Sequence, residues 1–458
     1  MVSLKVLSVY AIIALSSIQG TTISKGSRFF IQSQDPEDVI PKHHVLKKVE
    51  QEEEEEEGYP FSTLIEALKL NVVDSTESLI KEVNNFEDFK YFTIQLAEQM
   101  NLFSGLTDID AETKEFLLTK RKYKFSHDGP VLDLSPIEAY WRKVQTNEKY
   151  FDVTDEDELD LKVAKAIKNK IPLPTGPTHI RQVNGYLENL SEDSMKRFLT
   201  KLTSFYTRYY RSKSGVDSSH FIFDSLNEVL KKKDGVKITL DYFKHSWPQS
   251  SIIARFEGSD KKDEIIVVGA HQDSVNQWIP WFGRAPGADD DGSGSTSIYD
   301  AFRVLVEGGF KPNRTLEFHW YSGEEAGLLG SQDIAKAYSH QNKNVVAMMH
   351  FDMTGHFARK EQIAVVEDFT DPALSAFLRK LIDQYSDLKW VNSRCGYACS
   401  DHASWNKYGF RSAFPIEDPD IESNPNIHSP SDTVDTISFH HVHQFSRLAA
   451  AFAVELSA

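Results

Sequence analysis

The sequence has little cysteine and no excess of positive charge. Its 458 residues include two cysteines, Cys395 and Cys399, so at most one disulfide can form and a four-cysteine zinc-finger framework is excluded. Lysine and arginine number 51 against 68 aspartates and glutamates, which gives a net charge of −17. A chain this acidic has no electrostatic basis for binding nucleic acid or an anionic membrane, so we predict neither partner.

Long hydrophobic runs are also lacking. The apolar run VLSVYAIIAL near the start of the sequence is too short to span a bilayer, and no later segment is apolar enough to do so. The run follows Lys5 and precedes small polar residues up to Gly20, which is the pattern of a secretory signal peptide over residues 1–20. A retained membrane anchor is the less favoured alternative. Glycosylation sequons at Asn189 (NLS) and Asn313 (NRT) suit a secreted, extracellular protein, although two matches can also arise by chance.

Residues 21–170 differ in character from the rest of the chain. Six consecutive glutamates at 52–57 must be solvated, whereas apolar residues at helical spacing between residues 61 and 103 predict short helices. Nothing in this stretch resembles a cluster of functional histidine and carboxylate residues. Its position after a signal peptide is typical of a removable propeptide, with a permanent accessory domain as the alternative. The basic KRK at 120–122 and the linker at 165–178 are the predicted cleavage sites.

Helices and strands alternate through the remaining residues, 171–458, where the second domain is expected. Strands such as DEIIVVGAH are followed by helices such as TSIYDAFRVLVEGG, and 40% hydrophobic residues are enough for a real core. This order predicts an α/β domain with a mixed, mostly parallel central sheet and helices on both faces. In such sheets, functional groups gather just past the carboxyl ends of the strands.

Metal-binding residue types follow several of the predicted strands. The motifs IIVVGAHQD, PGADDDGSGS, FHWYSGEEAG, MMHFDMTG and NPNIHSPSDT carry, in that order, His271 and Asp273, Asp289 to Asp291, Glu324 and Glu325, Asp352, and His428. Taken singly, each residue would be interpreted as a solvated loop residue. Three adjacent aspartates would be interpreted as a turn in which one aspartate caps the next helix. Together they fit a metal centre better than chance, and imidazole and carboxylate ligands suit a catalytic zinc site.

The charges of such a centre balance if it holds two zinc ions. Two zinc ions bring four positive charges, three carboxylates bring three negative charges, and two neutral histidines bring none. One bridging hydroxide would neutralise the remaining charge, because two metal ions can lower the pKa of water enough to hold hydroxide near neutral pH. The expected cofactor is therefore two Zn²⁺ per chain, and adjacent aspartates are tolerated if one of them bridges the ions.

Six motifs carry a resemblance to a known family. GAHQDS, PGADDDGSG, SGEEAGLLGSQ, FDMTG, CGYACSDHASW and NIHSPSDT resemble, in order and spacing, those of the secreted double-zinc leucyl aminopeptidases of bacteria and fungi. The resemblance covers residues 178–458 and leaves out the N-terminal third. It implies a zinc-dependent exopeptidase fold and an extracellular enzyme that removes N-terminal residues, preferentially leucine or other hydrophobic residues, from peptides. A hydroxide bridging the two zinc ions would be its nucleophile.

Other activities on the same scaffold remain alternatives. A carboxypeptidase, an aminoacylase-like enzyme and a single-zinc glutaminyl cyclase are the main ones, and a complete second set of metal ligands weakens the cyclase alternative. A receptor-like binding domain built on an inactive peptidase fold would require lost ligands, and none is lost in this sequence. The substrates that the resemblance implies are peptides with a free N-terminus. We expect a monomer, and the position of residues 21–170 between a signal peptide and the catalytic body makes the propeptide a candidate inhibitor.

The resemblance also implies a role for each residue of the centre. His271 would bind one zinc, with Asp273 hydrogen-bonded behind it, and Asp352 would bind the second ion, opposite Glu325. Asp290 would bridge both ions, Glu324 would be the general base, and His428 would complete the ligands. Asp289 and Asp291 are expected to be loop and helix-cap groups, and Asp401 and His402 structural neighbours of the site. His440, His441 and His443 are expected on a helix surface. The resemblance also implies a cis peptide between Asp290 and Asp291.

An apolar pocket for the first residue of the substrate is implied beside the metals. The positions that resemble it are Met353, Tyr397, Cys399, Phe414, Ile416 and Ile427. Asp420 and Ser423 stand where relatives often have aromatic residues, which predicts some tolerance for polar or basic first residues. In a secreted protein, Cys395 and Cys399 are expected to form a disulfide rather than half of a metal site, and this disulfide would shape the loop that carries Tyr397.

Overall fold

The structure is a computed structural model, and it describes a defined part of the chain. The described residues are 28–29, 48–49, 115, 118–125, 130–139, 142, 151–152, 171–232, 235, 237–277, 280 and 283–458. Two compact units divide the chain, Met1–Gly105 and Leu106–Ala458. The described part of the first unit is an antiparallel pair of short strands, β1 (Arg28–Phe29) and β2 (Lys48–Val49). The predicted signal peptide and most of the predicted propeptide lie outside the described residues.

A small antiparallel sheet begins the described part of the second unit. Its central strand, β3 (Arg121–Lys124), pairs on one side with β4 (Leu132–Leu134) and on the other with β5 (Phe151–Asp152). Tyr123 of β3 is buried. Arg121 and Lys122 of the KRK sequence at 120–122 therefore pair with Leu134 and Asp133 of β4. Because proteases cleave exposed, unpaired segments, this pairing disfavours cleavage there.

A six-stranded mixed sheet forms the centre of the second unit, in the order β13-β10-β8-β9-β7-β6. Parallel pairing joins β8 to β9, β8 to β10 and β10 to β13, whereas β7 runs antiparallel to both β9 and β6. The predicted mixed, mostly parallel sheet is thereby confirmed. The strands are β6 (Ile238–Phe243), β7 (Ser251–Phe256), β8 (Lys261–His271), β9 (Arg314–Tyr321), β10 (Asn344–His350) and β13 (Ser412–Ala413).

Helices cover both faces of this sheet because its inner strands are apolar on both sides. In β8, Ile266 and Val268 pack into the larger hydrophobic core, whereas the alternate residues Ile265 and Val267 pack into a second core on the opposite face. The helices are α1 (Ile180–Leu187), α2 (Glu192–Leu202), α3 (Lys213–Leu230), α4 (Gly292–Glu307), α5 (Leu329–His340), α6 (Pro372–Tyr385), α7 (His402–Lys407) and α8 (Phe439–Ser457).

A second small sheet stands beside the carboxyl ends of the main strands. It has the order β12-β11-β14 and consists of β11 (Ile363–Val366), β12 (Trp390–Ser393) and β14 (Pro415–Ile416). Phe414 is the one residue between β13 of the main sheet and β14 of this sheet. The chain therefore passes directly from the edge of the main sheet to a wall beside the strand ends.

The C-terminal helix α8 is buried along most of its length. Glu455 near its end accepts hydrogen bonds from the backbone N–H groups of Thr178 and His179, at 2.7 and 3.0 Å, and thereby anchors the segment that precedes α1. The expectation that His441 lies on the helix surface is wrong. Its ring is buried and lies within hydrogen-bonding distance of two backbone carbonyls, since the loop that follows β10 packs over the start of α8. His440 is half-exposed, as expected.

Both predicted sequons lie at the surface. Asn189 follows α1 and Asn313 precedes β9, and both residues are exposed. Among the helices that the structure describes, none is long and apolar enough to cross a membrane.

Candidate metal centre

The parallel strands bring the predicted site residues to one edge of the sheet. His271 ends β8 and pairs with Tyr321 at the end of β9, and Gly269 of β8 pairs with His350 at the end of β10. The loops that leave these three neighbouring ends carry the remaining candidates except His428, which lies in the segment after β14. Chain direction and strand order alone therefore gather residues that are far apart in sequence.

One group of candidate ligands consists of His271, Asp290 and Asp352. One ligand atom from each lies within 4.8 Å of the others, and all three residues are buried. His271 Nε2 is 3.1 Å from Asp290 Oδ1 and 3.5 Å from Asp352 Oδ1. Asp352 was expected on the second ion, opposite Glu325; it instead joins His271, because β10 is the parallel neighbour of β8 and their ends are adjacent.

A second group consists of Asp290, Glu325 and His428, whose ligand atoms also lie within 4.8 Å of one another. His428 Nε2 is 2.8 Å from Asp290 Oδ2 and 3.1 Å from Glu325 Oε2. Asp290 thus presents one carboxylate oxygen to each group. This is the arrangement that a carboxylate bridging two metal ions requires.

The chemistry of the two groups fits divalent cations. Within the described residues, both ring nitrogens of His271, Asp352 Oδ1 and Glu325 Oε1 are buried without a hydrogen-bond partner. Burial alone would lower the pKa of His428, but the carboxylates of Glu325 and Asp290 outweigh it and raise that pKa to about 9. Without metal, protons would have to neutralise the centre. Imidazole and carboxylate are ligands that zinc accepts, so the donor set fits two Zn²⁺.

Asp273 has a different contact from the expected one. His271 Nδ1 lies 3.7 Å from Asp273 Oδ1, too far for a hydrogen bond. The Asp273 carboxylate instead accepts the backbone N–H of Glu324 at 3.0 Å and that of Glu325 at 3.3 Å. Both of its oxygens are directed to the next strand's loop, so Asp273 fixes the GEE segment to the end of β8.

Glu324 belongs to neither ligand group, although it lines the same cavity. Its Oε2 is 4.0 Å from His271 Nε2. Burial raises the pKa of Glu324 well above its usual value, and the neighbouring carboxylates of Asp401, Glu325 and Asp352 raise it further against the opposing effect of His271. A carboxylate with a raised pKa beside candidate metal ligands is well suited to proton transfer near neutral pH.

The two aspartates that flank Asp290 hold its loop in place. Asp291 caps α4 by accepting Gly294 N–H at 2.8 Å, and its other oxygen accepts His271 N–H at 3.0 Å. Asp289 accepts Gly355 N–H at 3.0 Å and the Asn424 side-chain amide at 2.7 Å. These are the loop and cap roles expected of them, and the Asp290–Asp291 peptide is cis.

Asp432 is a buried residue that the sequence interpretation missed. Its two oxygens accept the backbone N–H groups of Asp289 and Asp290, at 2.8 and 3.1 Å. It stands in the same NIHSPSDT motif as His428, and this proximity was the only signal of its role. Asp432 therefore ties the loop of one ligand to the loop of another.

All of the predicted pocket residues line one cavity beside the metal groups, which Leu328 and Ile421 also line. Met353, Phe414 and Ile416 form a buried apolar cluster, against which Ile421 and Ile427 pack. Asp420 and Ser423 do not line the cavity; Ile421 between them does. The expected tolerance for polar first residues therefore loses its structural basis, because the wall is aliphatic at this point.

The loop that carries Tyr397 is closed by a disulfide between Cys395 and Cys399. The Asp368 carboxylate accepts the N–H groups of Cys395 and Gly396, at 3.1 and 2.6 Å, and thereby holds the loop against the end of β11. Gly396 has a φ of +79°, which only glycine adopts at little cost.

Asp401 and His402 are buried beside the site but belong to neither candidate ligand group of the described residues. The His402 ring stacks on Phe414 with 4.7 Å between ring centroids, and burial lowers its pKa to about 4. Both residues thus have the structural positions expected of them.

Two candidate metal-ligand groups that share one carboxylate, at the carboxyl ends of strands in an α/β sheet, are suited to metal-assisted hydrolysis. A sequence model of peptidase family M28 matches residues 251–453. Leucine aminopeptidase 1 of Coccidioides posadasii is 42% identical over 349 residues, covering 71% of this chain and 89% of that protein. Leucine aminopeptidase 1 of Trichoderma harzianum is 39% identical over 347 residues, covering 71% and 86%. The chain belongs to peptidase family M28.

Solved structures agree with this assignment. The LapA aminopeptidase of Legionella pneumophila is 32% identical with a TM-score of 0.62, and the match covers 71% of this chain and 91% of that one. LapB of the same organism is 27% identical with a TM-score of 0.63, covering 73% and 94%. The fold and the sequence therefore lead to the same family.

Proposed function

We propose that the chain is an extracellular aminopeptidase that removes leucine and other hydrophobic residues from the free amino end of peptides. Its class, a zinc aminopeptidase, follows from membership of family M28 and from relatives named leucine aminopeptidase. One observation carries the finer proposal: two ligand groups that share Asp290 open onto one aliphatic cavity. The alternatives, glutaminyl cyclase, carboxypeptidase and an aminoacylase-like enzyme, are not favoured.

The proposed centre holds two zinc ions. His271, Asp290 and Asp352 would hold one, and Asp290, Glu325 and His428 the other. When bound, the two ions would polarise the scissile carbonyl and make water acidic enough to lose a proton near neutral pH.

Glu324 is the proposed general base. It would take a proton from the attacking water and deliver it to the leaving amine, a task that suits its raised pKa. Asp273 would keep the carboxylate in place by holding the backbone of Glu324 and Glu325. This support is additional to the role first expected of Asp273 behind the His271 ring, whose Nδ1 lies 3.7 Å from the carboxylate.

Substrate preference follows from the two sides of the cavity. The acidic side, with Glu324 and Asp352, would attract the ammonium group of a free amino terminus. The aliphatic side, with Ile416, Ile421 and Ile427, would take an apolar first side chain, since burying an apolar group there stabilises the complex.

The arrangement of the whole chain is part of the proposal. Residues 1–20 would direct secretion, residues 21–170 would form an acidic propeptide that restrains the enzyme, and residues 171–458 would form the catalytic domain, active as a monomer. Asn189 and Asn313 are the proposed glycosylation sites, and their exposure supports this. Arg411 donates to the Ile171 carbonyl, and Glu455 accepts from Thr178 and His179; these contacts support a boundary on the N-terminal side of residue 171.

Chromogenic amides test the proposal directly. Purified enzyme should hydrolyse leucine amide much faster than aspartate amide, and N-acetyl-leucine amide should be resistant because it has no ammonium group. A chelator should abolish the activity and added zinc should restore it. Equal hydrolysis of the free and acetylated substrates, or full activity in the chelator, would reject the proposal.

A further inference from the structure

A buried arginine outside the residues matched by the family model lies beside the proposed centre. Arg208 follows α2, and its side chain is fully buried. Burying a guanidinium is costly unless its donors are satisfied and its charge is balanced. The contacts that satisfy its donors are made to the backbone near the candidate metal ligands His271 and Asp290.

The guanidinium donates to three backbone carbonyls. Arg208 Nε donates to the Gln272 carbonyl at 2.7 Å, Nη1 to the Pro286 carbonyl, and Nη2 to the Gly287 carbonyl at 2.9 Å. Gln272 belongs to the segment that leaves β8, and the other two belong to the PGADDDG turn. The planar guanidinium therefore joins the residue that follows the candidate ligand His271 to the turn that carries the shared ligand Asp290.

The turn is tightly closed around the same contact. The Gly287 carbonyl accepts the Gly292 N–H at 3.0 Å as well as Arg208 Nη2. Gly287 has a φ of +56°, and a Cβ there would lie 2.5 Å from the Asp290 carbonyl oxygen and 2.8 Å from Arg208 Nη2. A shift of the guanidinium would therefore shift the backbone of Asp290.

The charge of Arg208 is also placed among the carboxylates of the centre. Burial lowers its pKa, and four carboxylates raise it, in decreasing order those of Asp432, Asp291, Asp273 and Asp290. An arginine side chain stays protonated in proteins, so this positive charge is present with or without metal. It reduces the repulsion among the carboxylates that hold the ligand loops.

We infer that Arg208 is a positioning residue of the metal centre, which sets the distance between the His271 segment and the Asp290 turn. The inference rests on the proposal that the two ligand groups hold zinc. A purely structural role would lower the stability of the fold and leave the zinc affinity of the folded protein unchanged. A positioning role lowers the zinc affinity of protein that is still folded.

Two substitutions separate the planar hydrogen-bonding geometry of the Arg208 guanidinium from its positive charge. Arg208→Lys keeps the charge but cannot make three planar contacts, and Arg208→Met removes both. Arg303→Met is the matched control, because Arg303 is also largely buried but donates to Asp300 and Glu307 on α4 and to the Asn189 carbonyl. Zinc affinity is measured on metal-free protein by competition with a chelator, and folding by circular dichroism and urea unfolding.

Arg208→Lys should weaken zinc binding about 10-fold and Arg208→Met about 100-fold, the range found when residues that orient metal ligands are replaced. Arg303→Met should lower stability and leave zinc affinity unchanged. Folded Arg208 variants with wild-type zinc affinity would overturn the inference. If the methionine variant does not fold, the lysine variant decides by the same criterion. Wild-type protein that binds no zinc would contradict the proposed function itself, and the inference with it.

Discussion

Glu324 and Glu325 are adjacent in sequence but have different surroundings. Glu325 Oε2 lies 3.1 Å from His428 Nε2 within a ligand group, whereas Glu324 stands beside both groups in the cavity. Burial raises the pKa of each carboxylate. Position, and not chemical type, is therefore the basis for proposing Glu325 as a metal ligand and Glu324 as the proton-transfer group.

Substitution of each glutamate should separate the proposed roles of Glu324 in proton transfer and of Glu325 in metal binding. Glu324→Gln keeps size and shape but removes the proton acceptor, so turnover should fall by about 100-fold or more with zinc still bound. Glu325→Ala should lose zinc. Initial rates on leucine amide and metal analysis of both variants are the measurements.

Glu257→Gln is the control for this pair, because Glu257 is exposed and follows β7, away from the site. It should leave both rate and zinc content unchanged. Near-normal turnover of Glu324→Gln would mean that another group is the base.

The site residues that could be proposed from the sequence are those with distinctive chemistry after strands. His271, Asp290, Glu325, Asp352 and His428 are brought together as two groups. The supporting contacts of Asp273, Asp432 and Arg208 were not predictable, because their partners are backbone N–H and carbonyl groups. Such partners leave no pattern of residue types in the sequence, and only the folded chain brings them together.

At the scale of elements, α4 begins where three parts of the site meet. Asp291 caps this helix through Gly294 N–H and also accepts His271 N–H at the end of β8 and, at 3.3 Å, Met353 N–H after β10. A helix cap of this kind therefore also holds two strand ends together.

Asp291→Ala should accordingly cost more than the loss of an ordinary cap. It removes a cap contact worth about 1 kcal/mol and leaves two further buried N–H groups without acceptors, so metal-free protein should lose about 3 kcal/mol or more. Asp371→Ala is the matched control. The Asp371 carboxylate accepts one backbone N–H at the start of α6, that of Leu374. Urea unfolding of both proteins measures the difference. Equal losses would show that the additional contacts contribute nothing.

The spacing of apolar residues predicted the strands and helices of residues 171–458, because burial of one face sets that spacing in strands and in helices. It could not predict the tertiary position of His441, since the loop that covers the start of α8 comes from far away in sequence. The same limit applied to the polar residues expected beside the pocket. Ile421 lines the cavity, whereas its neighbours Asp420 and Ser423 do not.

At the scale of the whole molecule, the proposed propeptide should restrain the catalytic domain until it is cut. Full-length protein should hydrolyse leucine amide slowly, and limited proteolysis should raise the rate as the segment before residue 171 is removed. Sequencing of the new N-terminus should find it on the N-terminal side of residue 171, because the following segment is held by Arg411 at Ile171 and by Glu455 at Thr178 and His179. Equal specific activity before and after trimming would reject inhibition and leave assistance in folding as the segment's role.

We propose that one carboxylate, Asp290, joins two metal sites beside an aliphatic pocket. The most direct test of this proposal is elemental analysis of active, trimmed enzyme after dialysis against metal-free buffer. Two zinc ions per chain are expected, and Asp290→Asn should lose both together because each group contains this residue. One ion or none in fully active enzyme would contradict the account.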